Sequence, residues 1–118
     1  MFSRTIILSG IHVGGYGQDL KTTTFSGLVE KLLEIPNLSS LRISSIEESE
    51  IDDQLICLLK EKDSLAKHLH IPLQSGSPSV LKRMARRYST DVFLAKLIKI
   101  KKEIPDIALT TDVIVGFP

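Results

Sequence analysis

A chain of 118 residues with 42% hydrophobic content can close one small core, and its formal charge of +1 excludes a globally basic nucleic-acid binder. The single cysteine, Cys57, excludes a disulfide framework and a thiolate metal site. Set between Ile56 and Leu58, it reads as a small core residue, and the lack of any signal-type or membrane-length apolar run makes the chain a cytoplasmic protein by default.

Thr5 to Leu8 is β-branched and apolar, a short strand ending at Ser9-Gly10, and a glycine loop, Gly14-Gly15-Tyr16-Gly17, follows it. Phe25, Leu28, Val29, Leu32 and Leu33 then recur at helical spacing behind Thr22-Thr23-Thr24, and Pro36 marks the stop. The pattern repeats. Leu41 to Ile43 is strand-like, Ser44-Ser45 ends it, and Ile51, Leu55, Leu58 and Leu59 form a helical stripe capped near Ser49. A third strand, His68 to Ile71, runs into Pro72-Leu73-Gln74-Ser75-Gly76-Ser77. Ser77-Pro78 there supplies a cap and a first-turn proline for a helix through Val80, Leu81 and Met84. Such a turn aims backbone N–H groups at a polar or anionic ligand beside Gln74 and Ser75. Tyr88-Ser89-Thr90 opens another helix, with Phe93, Leu94, Leu97, Ile98 and Ile100 on or near its inner side, which stops before Pro105. A fourth strand, Leu109 to Val115, leads to Gly116-Phe117-Pro118.

The order is βα, βα, βα with an extra helix, then β. Strands that alternate with helices and look apolar on both faces pair in parallel through right-handed crossovers. The expected class is α/β: a partial (β/α) barrel of about four parallel strands with flanking helices, one domain over residues 1–118. Gly14-Gly15-Tyr16-Gly17 lacks the G-x-G-x-x-G spacing of a dinucleotide fold. Instead a polar or glycine cluster follows every strand, on the face where barrels place their sites. Four strands cannot close a barrel and leave two edges, so the chain is expected to be half of one, cut at both ends.

Charge is uneven. Glu47, Glu48, Glu50, Asp52 and Asp53 cluster early, whereas Lys82, Arg83, Arg86, Arg87, Lys96, Lys99, Lys101 and Lys102 cluster late. The basic run is either a solvated helix face or a stripe for RNA or phosphate.

Several segments together resemble the radical S-adenosylmethionine methylthiotransferases. They are Ile7 through Gly17, Leu41-Arg42-Ile43-Ser44-Ser45-Ile46-Glu47, His68 through Ser77, Met84 with Arg86 and Tyr88, and Asp112 through Pro118. Within that family, Arg42 through Glu47 and Arg86-Arg87-Tyr88 resemble the branch acting on threonylcarbamoyladenosine in transfer RNA. The isopentenyladenosine branch tends to carry a Ser-His-Pro-like turn and the ribosomal-protein branch a Tyr-Pro-like one. The resemblance implies addition of a methylthio group to C2 of that adenine in the tRNA anticodon loop, with S-adenosylmethionine and a 4Fe-4S cluster as cofactors. The cluster needs a C-x-x-x-C-x-x-C run, which the family carries upstream and this sequence lacks. The same resemblance places a second-cluster domain upstream and an RNA-binding β domain downstream. The chain alone is therefore expected to hold no cluster and to be inactive, and to need the missing half of the barrel for stable folding.

By the same resemblance, Gln74 and Ser75 face the ribose or methionine end of S-adenosylmethionine, or else satisfy their own turn. Arg86 offers a guanidinium fork to the methionine carboxylate, or else caps a helix or pairs with the acidic cluster. Val113, Ile114, Val115 and Gly116 resemble the adenine-contacting strand, with Gly116 permitting close approach. Ser44, Ser45 and Glu47 reach cofactor or substrate, or Glu47 simply begins a solvated helix start. No catalytic residue is assigned. His12, His68 and His70 lack the paired spacing of a zinc site, so no metal ligand is expected; His68 and His70 should pack within the core and His12 lie on the ligand side. Two other classes compete: a non-catalytic half-barrel that docks on another chain or binds a phosphate at Gly14 to Gly17, and a flavodoxin-like domain that would need Tyr16 as its stacking aromatic.

Overall fold

A computed structural model describes residues 4–10, 12–86 and 88–118. Its elements follow the expected order: β1 (Arg4–Leu8), α1 (Phe25–Leu33), β2 (Leu38–Ile43), α2 (Asp53–Glu61), β3 (His68–His70), α3 (Pro78–Arg83), α4 (Thr90–Glu103) and β4 (Ala108–Thr110). Short 3₁₀ turns occupy Val13–Gly15 and Glu48–Glu50.

The four strands form two parallel pairs rather than one continuous sheet. β1 pairs with β2, Ile6 opposite Leu41 and Leu8 opposite Ile43, and β3 pairs with β4, His68 opposite Ala108 and His70 opposite Thr110. A single bridge at Leu41 and Leu65 joins the pairs, where the Leu41 N–H donates to the Ser64 carbonyl at 2.7 Å and the Ala66 N–H to the Leu41 carbonyl at 2.8 Å. Higher up, the Ile46 N–H donates to the His70 carbonyl at 3.0 Å. The strand run is thus stitched at β2 and β3 by loop backbone, not by a full ladder.

β3 and β4 are shorter than their hydrophobic runs. The regular ladder ends above Ile71, whose N–H donates to the Thr110 carbonyl at 2.9 Å. The Thr111 hydroxyl fills the gap, donating to the Ile71 carbonyl at 2.7 Å and accepting from the Leu73 N–H at 2.8 Å. Pairing resumes for one residue at Gln74 and Val113. Val113, Ile114 and Val115 are consequently exposed turn and extension, not buried strand.

One face of the strands is covered by helices. Leu41, Ile43 and Leu69 are buried there with Leu55 and Leu59 of α2, Phe93 and Ile100 of α4, and Val29 of α1. The other face is open and mostly polar, which corrects the expectation of strands apolar on both sides. His68 and His70 lie on that open face rather than in the core. Thr110 Oγ1 sits 2.8 Å from His70 Nδ1 and 3.1 Å from His68 Nε2, and His70 Nε2 sits 2.9 Å from Asp112 Oδ2.

Local chemistry explains the helix boundaries. The Thr24 hydroxyl accepts from the Gly27 N–H at 3.0 Å and caps α1. α2 starts later than Ser49 because Asp52 is its cap: Oδ1 accepts from the Leu55 N–H at 2.8 Å and from the buried Ser26 hydroxyl at 2.6 Å. Ile51 is buried ahead of that helix rather than on its stripe. On α2, Leu55, Ile56, Leu58 and Leu59 face inward, which leaves Cys57 on the outer side; its exposure overturns the core assignment. α4 is rotated from expectation in the same way. Phe93 and Ile100 are buried, while Leu94 and Ile98 flank the stripe at 57% and 59% exposure. Two lysines tie the same helix to the segment leading into α2: Lys96 Nζ donates to the Ile51 carbonyl at 2.7 Å and Lys99 Nζ to Asp53 at 2.6 Å. Lys101 is likewise used internally, on the Ile107 carbonyl at 2.7 Å. Lys96, Lys99 and Lys101 of the late basic run are thus engaged within the fold, while Lys82, Arg83 and Lys102 are exposed. No helix there is long and apolar enough to cross a membrane.

Candidate functional site at the strand ends

A cleft of about 210 Å³ opens at the carboxyl ends of the strands. His12 enters it from the loop after β1, Ser45, Glu47 and Glu50 from the segment after β2, Gln74 from the turn after β3, and Arg86 and Tyr88 from the connection between α3 and α4. It shares His12, Glu47, Glu50, Arg86 and Tyr88 with a wider depression of about 970 Å³.

Backbone chemistry sets each of these side chains. α3 ends in a Schellman motif: the Arg86 N–H donates to the Leu81 carbonyl at 3.0 Å and the Ala85 N–H to the Lys82 carbonyl at 3.1 Å. That motif puts Ala85 at φ 58°, a left-handed conformation unusual for alanine, and turns the chain so that Arg86 lines the cleft. Arg86 Nη1 then lies 4.0 Å from Glu47 Oε1, a long contact that leaves the guanidinium available. Gln74 also has positive φ, 71°, and its backbone is doubly tied, N–H to the Asp112 carbonyl at 2.8 Å and carbonyl to the Ile114 N–H at 2.7 Å.

Tyr88 anchors the floor. Its hydroxyl donates toward the Leu73 carbonyl at 2.5 Å and the Pro72 carbonyl at 3.2 Å, and its ring lies 5.6 Å from that of Phe93. Burial pushes the Tyr88 phenol above its ordinary pKa, against a smaller opposing pull from Arg86, so the proton that holds the Pro72-Leu73 backbone is retained.

Glu50 and His12 form a second cluster within the cleft. The Glu47 N–H donates to Glu50 Oε1 at 3.1 Å, and Glu50 Oε2 lies 2.7 Å from His12 Nε2. Two glycines make this approach possible. A Cβ on Gly14 would fall within the Glu50 carboxylate, and one on Gly15 would come within 2.8 Å of His12 Nδ1. The glycine loop visible in the sequence thus makes room for two side chains.

Of the residues singled out in the sequence, Ser45, Glu47, Gln74 and Arg86 are brought together. Ser75 is buried behind the turn, and its hydroxyl accepts from the Ser77 N–H at 3.1 Å. Ser77 makes no side-chain cap on α3, because its hydroxyl bonds Ser79 at 3.1 Å instead. Ile114, Val115 and Gly116 do not line the cleft; they lie at the exposed end of the chain, Val115 at 89% exposure and Gly116 at φ 73°. Ser44 accompanies neither group in the cleft lining, and Arg87 lies outside the described residues. Sequence reasoning missed Glu50, Tyr88 as a backbone anchor, and Thr110 and Thr111. Only Glu50 carried a signal, standing three residues after Glu47 as a capping box requires.

Parallel strands whose polar turns converge on one cleft at their carboxyl ends define a small α/β scaffold with its cleft where barrel folds place their sites. The sequence model of the Radical SAM superfamily matches residues 8–118, and the chain belongs to that superfamily. It is 49% identical to the threonylcarbamoyladenosine tRNA methylthiotransferase MtaB of Bacillus subtilis, over 98% of this chain and 26% of that protein. It is 40% identical to a tRNA-2-methylthio-N(6)-dimethylallyladenosine synthase of Thermoanaerobacter sp. and 39% to that of Acetivibrio thermocellus, again over 98% of this chain but 25% and 24% of theirs. The chain spans about a quarter of the length of these curated relatives.

The superfamily implies S-adenosylmethionine and an iron–sulfur cluster, and the residues present fit them unequally. A cleft with a guanidinium, an amide, a hydroxyl and a carboxylate matches the polar groups of S-adenosylmethionine. A 4Fe-4S cluster does not fit this chain, whose single cysteine is exposed on the outer side of α2.

Proposed function

We propose that this chain is the cofactor-holding part of a tRNA methylthiotransferase, in the frame of a partial (β/α) barrel, and that its substrate is N6-threonylcarbamoyladenosine, modified at C2 in the anticodon loop. The observation that carries the reading is the convergence of Ser45, Glu47, Gln74 and Arg86, from three separate connections, on one cleft at the strand ends. The preference for threonylcarbamoyladenosine rests on the higher identity to the Bacillus subtilis relative, 49% against 40% and 39% for the two synthases named above.

In this reading, bound S-adenosylmethionine supplies the radical chemistry that the superfamily is named for. Arg86 takes its carboxylate through charge-assisted hydrogen bonds, and Gln74, Ser45 and Glu47 hold the ribose and amino groups. Ile114, Val115 and Gly116 lie outside the cleft lining and would meet the adenine from beside it, tied to its wall by the bond from the Ile114 N–H to the Gln74 carbonyl. Ser75 shapes the turn from behind. The cleft of about 210 Å³ is smaller than the roughly 300 Å³ of ordinary ligand sites, and the wider depression that shares its wall would supply the remaining room for the cofactor. The cluster thiolates come from outside these residues, and the chain alone is inactive.

The test is a chimera. Residues 8–118 replace the matching quarter of the Bacillus subtilis enzyme in a strain lacking it, and tRNA nucleosides are analysed by mass spectrometry. The 2-methylthio derivative of threonylcarbamoyladenosine should reappear, and should vanish with Arg86→Ala. A stable, cluster-loaded chimera that leaves threonylcarbamoyladenosine unmodified refutes the proposal.

A further inference from the structure

We propose that His12, Glu47 and Glu50 form a binding site for one divalent transition-metal cation of the zinc and cobalt class. Each offers one ligand atom, and these atoms all lie within 4.8 Å of one another. An imidazole nitrogen with two carboxylate oxygens is a donor set that suits such ions.

The cluster is more than adjacent charge. The Glu50 side chain is only 8% exposed, and its two oxygens are treated differently. Oε1 accepts the Glu47 N–H at 3.1 Å, whereas Oε2 is buried and makes no hydrogen bond. His12 Nε2 stands 2.7 Å from that oxygen, yet off the line an imidazole N–H would need. A buried carboxylate oxygen left without a hydrogen bond is costly, and a cation is the partner that satisfies it irrespective of N–H direction. The backbone is shaped for the same purpose, since any side chain at Gly14 would displace the Glu50 carboxylate and one at Gly15 would crowd the His12 ring. Arg86, the competing cation, reaches Glu47 only at 4.0 Å and does not contact Glu50. His12 and Glu47 remain about half exposed on the cleft side, at 55% and 51%, so a metal held there keeps open positions toward the cleft. Cation binding requires no part of the methylthiotransferase reading, although the two share Glu47.

The measurement uses the 118-residue chain with Cys57→Ser, which removes an exposed thiol that would compete for metal. Zinc is titrated by calorimetry and cobalt by its visible absorption. One saturable equivalent is expected, weakened about tenfold or more by His12→Ala or by Glu50→Gln, and similarly by Gly14→Ala. His70→Gln, which alters the other imidazole–carboxylate pair, should leave it unchanged. A readout that needs no site variant is the imidazole nitrogen resonance of His12, which should shift on zinc addition. Absence of saturable binding, binding that survives both His12→Ala and Glu50→Gln, or zinc binding with His12 resonances unmoved overturns the proposal.

Discussion

Replacing Tyr88 by Phe tests whether one hydroxyl holds the floor of the cleft. The ring and its contact with Phe93 are retained, so the change isolates the donor shared by the Leu73 carbonyl at 2.5 Å and the Pro72 carbonyl at 3.2 Å. One hydrogen serves two acceptors, so the loss is about one good hydrogen bond plus partial exposure of two carbonyls, roughly 1–2 kcal/mol. Urea denaturation should show this as a lower midpoint with an unchanged slope. The pH dependence gives a second, sharper signature. Burial raises the phenol pKa in the folded state above its unfolded value, so the native form prefers the protonated hydroxyl. The stability this contributes is fully present below the unfolded pKa of about 10 and is lost as pH rises through the higher folded one. The gap between the native chain and Tyr88→Phe should therefore narrow above that pH and be constant from neutrality to about pH 9. A variant as stable as the parent, or a gap that does not close in alkali, refutes the reasoning.

Three further outcomes are expected. Ala85→Gly should stabilise the chain by about 0.5–1 kcal/mol in the same denaturation assay, because relief of the left-handed strain at φ 58° outweighs the added freedom of the unfolded glycine. Asp52→Ala should cost about 1–2 kcal/mol and lower α2 helicity by circular dichroism, since it removes both the cap on the Leu55 N–H and the acceptor of the buried Ser26 hydroxyl. Leu55→Ala, at a fully buried position between α2 and the strands, should cost roughly 2–5 kcal/mol in that assay, whereas Cys57→Ser two residues away should stay within about 0.5 kcal/mol of the parent.

The order of elements was legible because hydrophobic period and turn chemistry agree at nearly every junction. Thr24, Ser89 and Pro36 mark boundaries that the structure respects to within a few residues. Three kinds of feature were not legible. Helix rotation was misjudged at Cys57, Leu94 and Ile98, because a helix with apolar residues over a wide arc shows its period but not which flank its neighbours cover. Strand length was misjudged at Leu109 to Val115, because the Thr111 side chain takes the ladder positions above Ile71, a replacement that hydrophobic period does not show. The two-sided apolar pattern was misread for β3, where the histidines spaced by two mark a polar face, not core. In the cleft, Gln74 was legible from its position after β3, and Arg86 from the family resemblance of Met84, Arg86 and Tyr88. The His12 and Glu50 pairing was not, because it joins two loops through the absence of side chains at Gly14 and Gly15.

The open face of β3 and β4 shows why polar residues there need not weaken the strands. With Asp112 ionised, it can only accept, so His70 donates from Nε2 and must accept at Nδ1. The Thr110 hydroxyl then donates to His70 and accepts from His68 Nε2, which fixes both tautomers. His68 Nδ1 becomes the bare end of the chain, buried and without a hydrogen bond, consistent with a nitrogen carrying no proton. Every donor in that row has an acceptor, and the row runs along the strand pair toward the cleft, since Asp112 supplies the carbonyl that binds the Gln74 N–H. The polarity of the open face and the geometry of Gln74 are therefore linked through a single residue, Asp112, whose side chain orders the histidines while its backbone holds the cleft wall.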